Sequence, residues 1–235
     1  MNRYDLVTFD MGYTLIYFHP SIDDVELCAY RAVGLRPERA ALAAARQAVW
    51  DEYGTQVAGC TYEPTQERSW ALEEQMTGRI LDRLGLNRAV LPHLLLALEA
   101  AYDTPGVIRP YPETLAVLAE LQARGLRLGV ISNWSWELER RAALVGLDAY
   151  FHFMIASAQA GCDKPHPDIF RQALRAAGVA PERALHIGDS YEADVLGARG
   201  VGMDALWLDR KGQGGHTDCR AIRDLTEVLA ILTAQ

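Results

Sequence analysis

Short apolar runs punctuate the chain, each of strand length and each bounded by glycine or polar residues. They cover residues 4–9, 127–131, 153–156, 184–187 and 205–208. Between the later ones the period changes to that of amphipathic helices, over residues 113–123, 136–145 and 167–177, which stop near Gly125, Gly146 and Gly178. Strand and helix in alternation predict an α/β fold, a parallel sheet of five or six strands with crossover helices. One stretch breaks the pattern. From residue 17 to 106 only helical periodicity is visible, with candidate helices at 23–33, 37–53, 66–84 and 88–102 rich in alanine and leucine. The expected organisation is a sheet core at residues 1–16 and 107–235, with an α-helical cap inserted at 17–106. Its hinges would lie near 17–20 and 104–110, where proline and glycine interrupt the periodicity. A cap in that position would sit over the carboxyl ends of the strands, where open α/β sheets bind ligands.

Composition narrows the chemistry. A chain of 235 residues that is 50% hydrophobic can bury a sizeable core. Its net charge of -8 argues against nucleic acid as a partner, because phosphate backbones demand basic stripes. The N-terminus is polar and no apolar run reaches membrane-spanning length, so no membrane partner and a cytoplasmic location are expected. Cys28, Cys60, Cys162 and Cys219 form no CxxC pair and no zinc spacing, and read as isolated thiols. Lysine occurs only at 164 and 211. The glycine-rich segment 211–216 follows the last strand and reads as a loop rather than a phosphate cradle.

The strand ends carry the chemistry. Asp10 follows the first strand, Ser132 and Asn133 the second, Asp163-Lys164-Pro165 the third, and Gly188-Asp189-Ser190 the fourth, with Asp194 beyond. Singly, each has an ordinary role as a cap or turn residue. Together they would bring three carboxylates, a hydroxyl and a lysine to one sheet edge, where like charges repel unless a cation intervenes. Carboxylate oxygens suit Mg²⁺.

The ordered set Asp-x-x-x-Thr-Leu, Ser-Asn, Lys-Pro and Gly-Asp-x-x-x-x-Asp resembles the haloacid dehalogenase superfamily of aspartate-nucleophile hydrolases, along the whole chain. The resemblance implies a Rossmann-like core with a cap and a Mg²⁺-dependent phosphatase acting on a small phosphorylated metabolite; the sequence leaves monomer and homodimer both open. It implies that Asp10 attacks phosphorus to form an aspartyl-phosphate. Asp10, the Gly12 carbonyl, Asp189 and Asp194 would hold the metal. Ser132, the Asn133 amide and Lys164 would hold the phosphoryl group, with Lys164 also neutralising the nucleophile.

One position departs from the family pattern. Its phosphatases usually carry a second aspartate two residues after the nucleophile, as acid and base; here that residue is Gly12, followed by Tyr13 in place of the usual glycine. Such proton transfer is worth about 10²–10⁴-fold. Three readings follow. The chain is a phosphatase for good leaving groups such as acyl or aryl phosphates, with Tyr13 or His19 as stand-ins. Or it is a 2-haloacid dehalogenase, since halide needs no proton. Or it is a catalytically weak phosphometabolite-binding module. A phosphonoacetaldehyde hydrolase is disfavoured, because residues 17–106 contain no lysine for a Schiff base. Trp134 and Trp136 are candidate walls of the substrate site. Trp50, Tyr53, Tyr62 and Trp70 read as helix packing, and Arg46, Arg68 and Arg79 as candidates to meet a second substrate anion.

Overall fold

The computed structural model describes residues 3–216 and 218–233. Its strands are β1 (Leu6–Phe9), β2 (Ile16–Phe18), β3 (Ile108–Pro110), β4 (Arg127–Ser132), β5 (Phe153–Ala156), β6 (Ala184–Gly188), β7 (Asp204–Leu208) and β8 (Arg220–Ile222). The helices are α1 (Ile22–Ala32), α2 (Arg39–Val57), α3 (Gln66–Arg83), α4 (Leu91–Tyr102), α5 (Thr114–Ala123), α6 (Leu138–Ala143), α7 (Ser157–Ala160), α8 (Pro167–Ala177), α9 (Gly197–Gly200) and α10 (Thr226–Thr233). Six strands form one sheet in the order β5-β4-β1-β6-β7-β8. Each neighbouring pair runs parallel.

The α/β class and parallel sheet expected from the hydrophobic pattern are therefore present. β1 and β6 are buried along their whole length, and β4 beyond its first residue. That is why they read as unbroken apolar runs rather than alternating ones: strands in a parallel sheet are covered on both faces. α8 shows the matching helical logic. Ile169, Phe170, Ala173, Leu174 and Ala177 are buried along one stripe. The His166 side chain accepts the Asp168 N–H at its start, and Gly178 stops it at φ +63. Each such Ile, Leu or Phe contributes about 1.5–3 kcal/mol by leaving water.

The chain divides into two compact units: residues up to 17, 59–62 and from 110 onward, and residues 18–58 with 63–109. The first holds the six-stranded sheet. Residues 59–62 group with it, and Tyr62 donates its N–H to the Gly161 carbonyl at 2.7 Å and its hydroxyl to Asp163 Oδ1 at 3.0 Å. The second unit holds α1–α4, packed around Leu27, Tyr30, Leu42, Val49, Leu81 and Leu94. Ser21 and Thr65 cap α1 and α3 by accepting backbone N–H groups. Arg46 pairs with Asp23 at 2.5 Å and Glu26 at 2.6 Å, and Arg79 pairs with Glu52, so both spend their charge within this unit. Trp50 and Trp70 stand half exposed rather than packed as helix core. Among the described residues, no helix is long and apolar enough to cross a membrane.

Three details differ from the sequence reading. β2 and β3 pair as a separate two-stranded ribbon at the edges of a stretch that reads as wholly helical; three residues each are too few to show a period. β8 brings the sheet to six strands, within the five or six expected, but at a place where no apolar run marked it, since it begins on an exposed arginine. Residues 136–145 form only the short helix α6.

Candidate active site

β1 stands between β4 and β6, with Phe9 opposite Val130 on one side and Ile187 on the other. The sheet order reverses here, so the carboxyl ends of these three strands share one edge. Asp10 follows at once, its N–H donating to the Ile187 carbonyl at 2.9 Å, and it is 8% exposed. Ser132, closing β4, donates its hydroxyl to Asp10 Oδ1 at 2.9 Å. Lys164 Nζ donates to the same oxygen at 2.7 Å. Oδ2 is the oxygen that these two donors leave open.

Lys164 is buried, and its ammonium has three acceptors for three protons: Asp10 Oδ1, the Ile131 carbonyl at 2.8 Å and Asp194 Oδ1 at 2.6 Å. Its backbone is clamped by Asn133, whose side chain accepts the Lys164 N–H at 2.7 Å and donates to the Lys164 carbonyl at 3.0 Å. The segment after β6 is packed by two glycines. A Cβ on Gly188 would lie 2.1 Å from the Asp194 carboxyl, and one on Gly197 would lie 2.6 Å from the Phe170 ring and 3.1 Å from Pro165 Cα. Asp194 belongs to a π-type turn, Tyr191–Leu196, and its Oδ2 accepts the Ser190 N–H at 3.0 Å.

The loop after Asp10 is tight. Tyr13 N–H donates to the Ile16 carbonyl at 2.7 Å, and Leu15 and Ile16 both donate to the Met11 carbonyl. Tyr13 takes φ +56, where glycine is the easy occupant, at a cost of about 1–2 kcal/mol for a residue with a side chain. Gly12 faces Trp134: a Cβ there would rest 3.4 Å from the indole Cζ3. Tyr13, Tyr111, Trp207, Arg210 and Lys211 line a cleft that Asp189 also borders. His19 is an exposed residue of the helical unit. The loop from Lys211 is held by Asp209, whose carboxylate accepts the N–H groups of Gln213 and Gly214.

Charge is unevenly balanced. Burial pushes the Asp10 carboxyl up by more than Lys164 pulls it down, and the Asp194 charge adds to the rise. Burial alone would raise Asp194 too, but the Lys164 charge and a hydrogen bond from His186 hold it well below the usual range. Burial works against the Lys164 charge, yet Asp10 and Asp194 together raise its pKa. Asp189 feels the Lys164 charge too, but less than it feels burial and the two neighbouring carboxylates. Crowding by protein atoms and then the charges of Asp10 and Asp194 push it up to about 7. The residue keeps an open face to water, which screens part of this rise.

Three carboxylates around one ammonium leave an uncompensated negative charge, which a divalent cation would neutralise. Among the described residues no group of three or more His, Cys, Asp or Glu side chains forms a metal cage. Mg²⁺ asks for less, one or two carboxylates with the remaining positions filled by water, carbonyl or substrate oxygens. The open Oδ2 of Asp10, the Asp189 carboxylate and the Gly12 carbonyl fit that donor set. Asp194, with Lys164 and His186 on one oxygen and Ser190 on the other, is already engaged.

Ser132, Lys164 and Asp10 thus meet directly, Asp194 joins them through Lys164, and Asp189 joins them through charge. No sequence signal pointed to the clamp by Asn133 or to Arg210, and Trp134, expected as a wall of the substrate site, carried no sign that its indole would stand over Gly12. Arg210 donates to Glu113 at 2.7 Å and to the Thr14 carbonyl at 2.8 Å while lying 3.5 Å over the Tyr111 ring. Each depends on an approach between segments remote in sequence.

Comparison with known proteins identifies the family. A phosphoserine phosphatase of Thermus thermophilus is 45% identical over 101 residues, 43% of this chain; the matched stretch spans only 41% of that relative's length. A solved phosphatase of Thermococcus onnurineus superposes with a TM-score of 0.69 at 26% identity, covering 97% of each chain. A 2-haloacid dehalogenase of Pseudomonas syringae superposes with a TM-score of 0.71, also at 26% identity, covering 98% of this chain and 99% of its own. The model of the haloacid dehalogenase-like hydrolases matches residues 4–202, most of the chain. With the strand-end residues in that family's order, the chain belongs to the haloacid dehalogenase-like hydrolases.

Proposed function

We propose that this hydrolase is a phosphatase for small phosphorylated molecules with good leaving groups, acting through Asp10. The observation that carries the reading is the paired grip of Ser132 and Lys164 on Asp10 Oδ1, inside an acidic cluster that lacks one cation. The phosphatase relatives make phosphoryl transfer the first chemistry to consider.

In this reading a carboxylate oxygen of Asp10 attacks phosphorus. The bond from phosphorus to the leaving oxygen breaks as the aspartyl-phosphate bond forms. Ser132 and the Asn133 N–H hold phosphoryl oxygens, and Lys164 offsets the charge gathered between nucleophile and phosphoryl group. Water then attacks phosphorus and releases phosphate from Asp10. Asp10, the Gly12 carbonyl and Asp189 would hold Mg²⁺, with Asp194 behind Lys164; when bound, the ion supplies charge neutralisation and orientation. Gly12 offers no proton, so the leaving oxygen must depart with little help. Acyl and aryl phosphates meet that condition better than alkyl phosphates. The residues 17–106 would form the cap of such an enzyme.

The absent carboxylate at Gly12 also favours a second reading, a 2-haloacid dehalogenase in which Asp10 displaces halide. The crowded Asp189 weighs against it, because that reaction calls for no cation. The test is hydrolysis of acetyl phosphate and p-nitrophenyl phosphate with Mg²⁺ and with chelator, beside Asp10→Asn. Mg²⁺-dependent phosphate release that Asp10→Asn abolishes is expected. Metal-independent halide release from a 2-haloacid, with neither phosphate ester cleaved, would favour the dehalogenase. No turnover of any of them would favour a binding module.

A further inference from the structure

Behind the site a buried hydrogen-bonded chain continues from Lys164 away from Asp10. Lys164 Nζ donates to Asp194 Oδ1, His186 Nε2 lies 3.1 Å from that same oxygen, and His186 Nδ1 lies 2.9 Å from Thr8 Oγ1. Thr8 and His186 are register partners on β1 and β6, and both are 0% exposed. The Phe170 ring closes edge-on against the imidazole, centroids 5.3 Å apart at 86°. The phosphoryl chemistry above uses neither side chain. A strand position in this core could be filled by an aliphatic residue without losing the hydration an imidazole gives up on burial.

The chain fixes its own proton positions. Asp194 is a carboxylate beside an ammonium, so it can only accept, and Nε2 must carry the proton that it shares with Oδ1. On the far side of the ring Nδ1 meets the Thr8 hydroxyl, which also lies 3.4 Å from the Leu185 carbonyl. His186 therefore presents one N–H, rigidly, to the oxygen that also receives Lys164. Without it, Oδ1 would keep Lys164 alone and the carboxylate could turn about its remaining bond to Ser190.

We propose that His186 is a positioning residue for the reaction: its Nε2–H sets the Asp194 carboxylate, and through it aims the Lys164 ammonium at Asp10. The inference rests on the phosphatase reading for its effect on turnover, but not for its effect on Lys164.

The test compares His186→Gln with His186→Asn in the full-length chain. Both are polar and similar in size. The longer glutamine amide reaches toward Asp194 as Nε2 does, whereas asparagine reaches only toward Thr8. Because the chain has two lysines, at 164 and 211, ¹⁵N-lysine labelling gives a readable ammonium signal for the buried one. Wild type and His186→Gln are expected to show a solvent-protected Nζ signal. In His186→Asn its proton exchange should quicken at least about tenfold. Turnover of p-nitrophenyl phosphate should follow, with kcat in His186→Asn down on the order of 10- to 100-fold and KM little changed, since misplacement of a charged group by an ångström costs that much. Equal protection of Nζ in all three proteins would overturn the proposal. So would equal loss of kcat in both variants, which marks a merely structural histidine. Should the wild type cleave no phosphoester, the phosphatase reading fails by itself, and the Nζ signal alone decides the role of His186.

Discussion

Gly12 shows how one residue can set the scope of a reaction. On the phosphatase reading, the carboxylate missing here would be restored by substitution. The indole of Trp134 changes that expectation, because a Cβ at Gly12 would already be in contact with it at 3.4 Å, which restricts the directions a carboxyl group could take. Gly12→Asp alone should therefore leave turnover of an alkyl phosphate nearly unchanged. Gly12→Asp combined with Trp134→Ala should raise it by about tenfold or more, toward the 10²–10⁴-fold worth of general acid catalysis. The gain should be smaller for p-nitrophenyl phosphate, whose leaving group needs no proton. Steady-state rates on the two substrates decide it; a full gain from Gly12→Asp alone would mean that the indole yields freely. What was legible at this scale follows from where residues stand on strands. Asp10, Ser132, Lys164 and Asp189 could be read because each ends or follows a strand-length apolar run. Trp134 could be read only as a wall of the site, not as a neighbour of Gly12, and His186 not at all, since it sits among core residues, in Ala184-Leu185-His186-Ile187, as any satisfied strand histidine would.

The segment that follows β6 has the least freedom of any element at the site. Gly188 lets the chain fold back so that the Asp194 carboxyl comes within van der Waals reach of its Cα, and Gly197 lets α9 approach Phe170 and Pro165. Gly188→Ala would place a methyl group 2.1 Å from the Asp194 carboxyl. Something must move, and Asp194 carries Lys164. The expected result is a loss of about 1–3 kcal/mol of stability, as for other overpacked sites, with kcat reduced by much more than that stability loss implies. Denaturant unfolding and turnover measured on the same preparation separate the two effects; wild-type kcat in a folded Gly188→Ala would show that Asp194 can shift without consequence. The elements themselves were legible wherever burial imposed a long period. The apolar runs at residues 127–131, 153–156, 184–187 and 205–208 each contain or match a strand to within a residue at either end. β2, β3 and β8 were not, because three-residue strands owe their pairing to neighbours rather than to their own pattern. The π-type turn at Tyr191–Leu196 was equally hidden, since it follows from how Asp194 must reach inward.

For the molecule as a whole the governing quantity is charge. A chain of net charge -8 concentrates three carboxylates around one lysine, so its stability should depend on pH and on divalent cations together. Asp189 lies at about 7 in the folded chain against an ordinary 3.8. Between those values the folded state binds the extra proton, and its stability falls as pH rises through 7. His186, held below its ordinary 6.5 by burial, works the other way but only below that pH. Asp194 loses its stabilising contribution only in strong acid, and Lys164 only above its ordinary 10.5. Most of that fall lies below 7, so the window from about pH 6.5 to 8 holds its tail, shared with Asp10, whose carboxyl burial also raises. In metal-free protein, Tm should decline across it, and Asp189→Asn should flatten the decline. On the proposed Mg²⁺ site the ion would compete with the proton for the same carboxylate, so the Tm gain on adding Mg²⁺ should grow over the same window. At a concentration a hundred times Kd the gain should approach about 2.7 kcal/mol, roughly 5–10 °C for a chain of this size. Asp189→Asn should abolish most of it, and Ca²⁺, which prefers more ligands at longer distance, should give less. Thermal denaturation of the chelator-treated protein at pH 6, 7 and 8, with and without Mg²⁺, reads all of this without any substrate. A Tm gain independent of pH, or one that survives Asp189→Asn, would mean that the ion binds elsewhere and that the acidic cluster balances its charge by holding a proton instead.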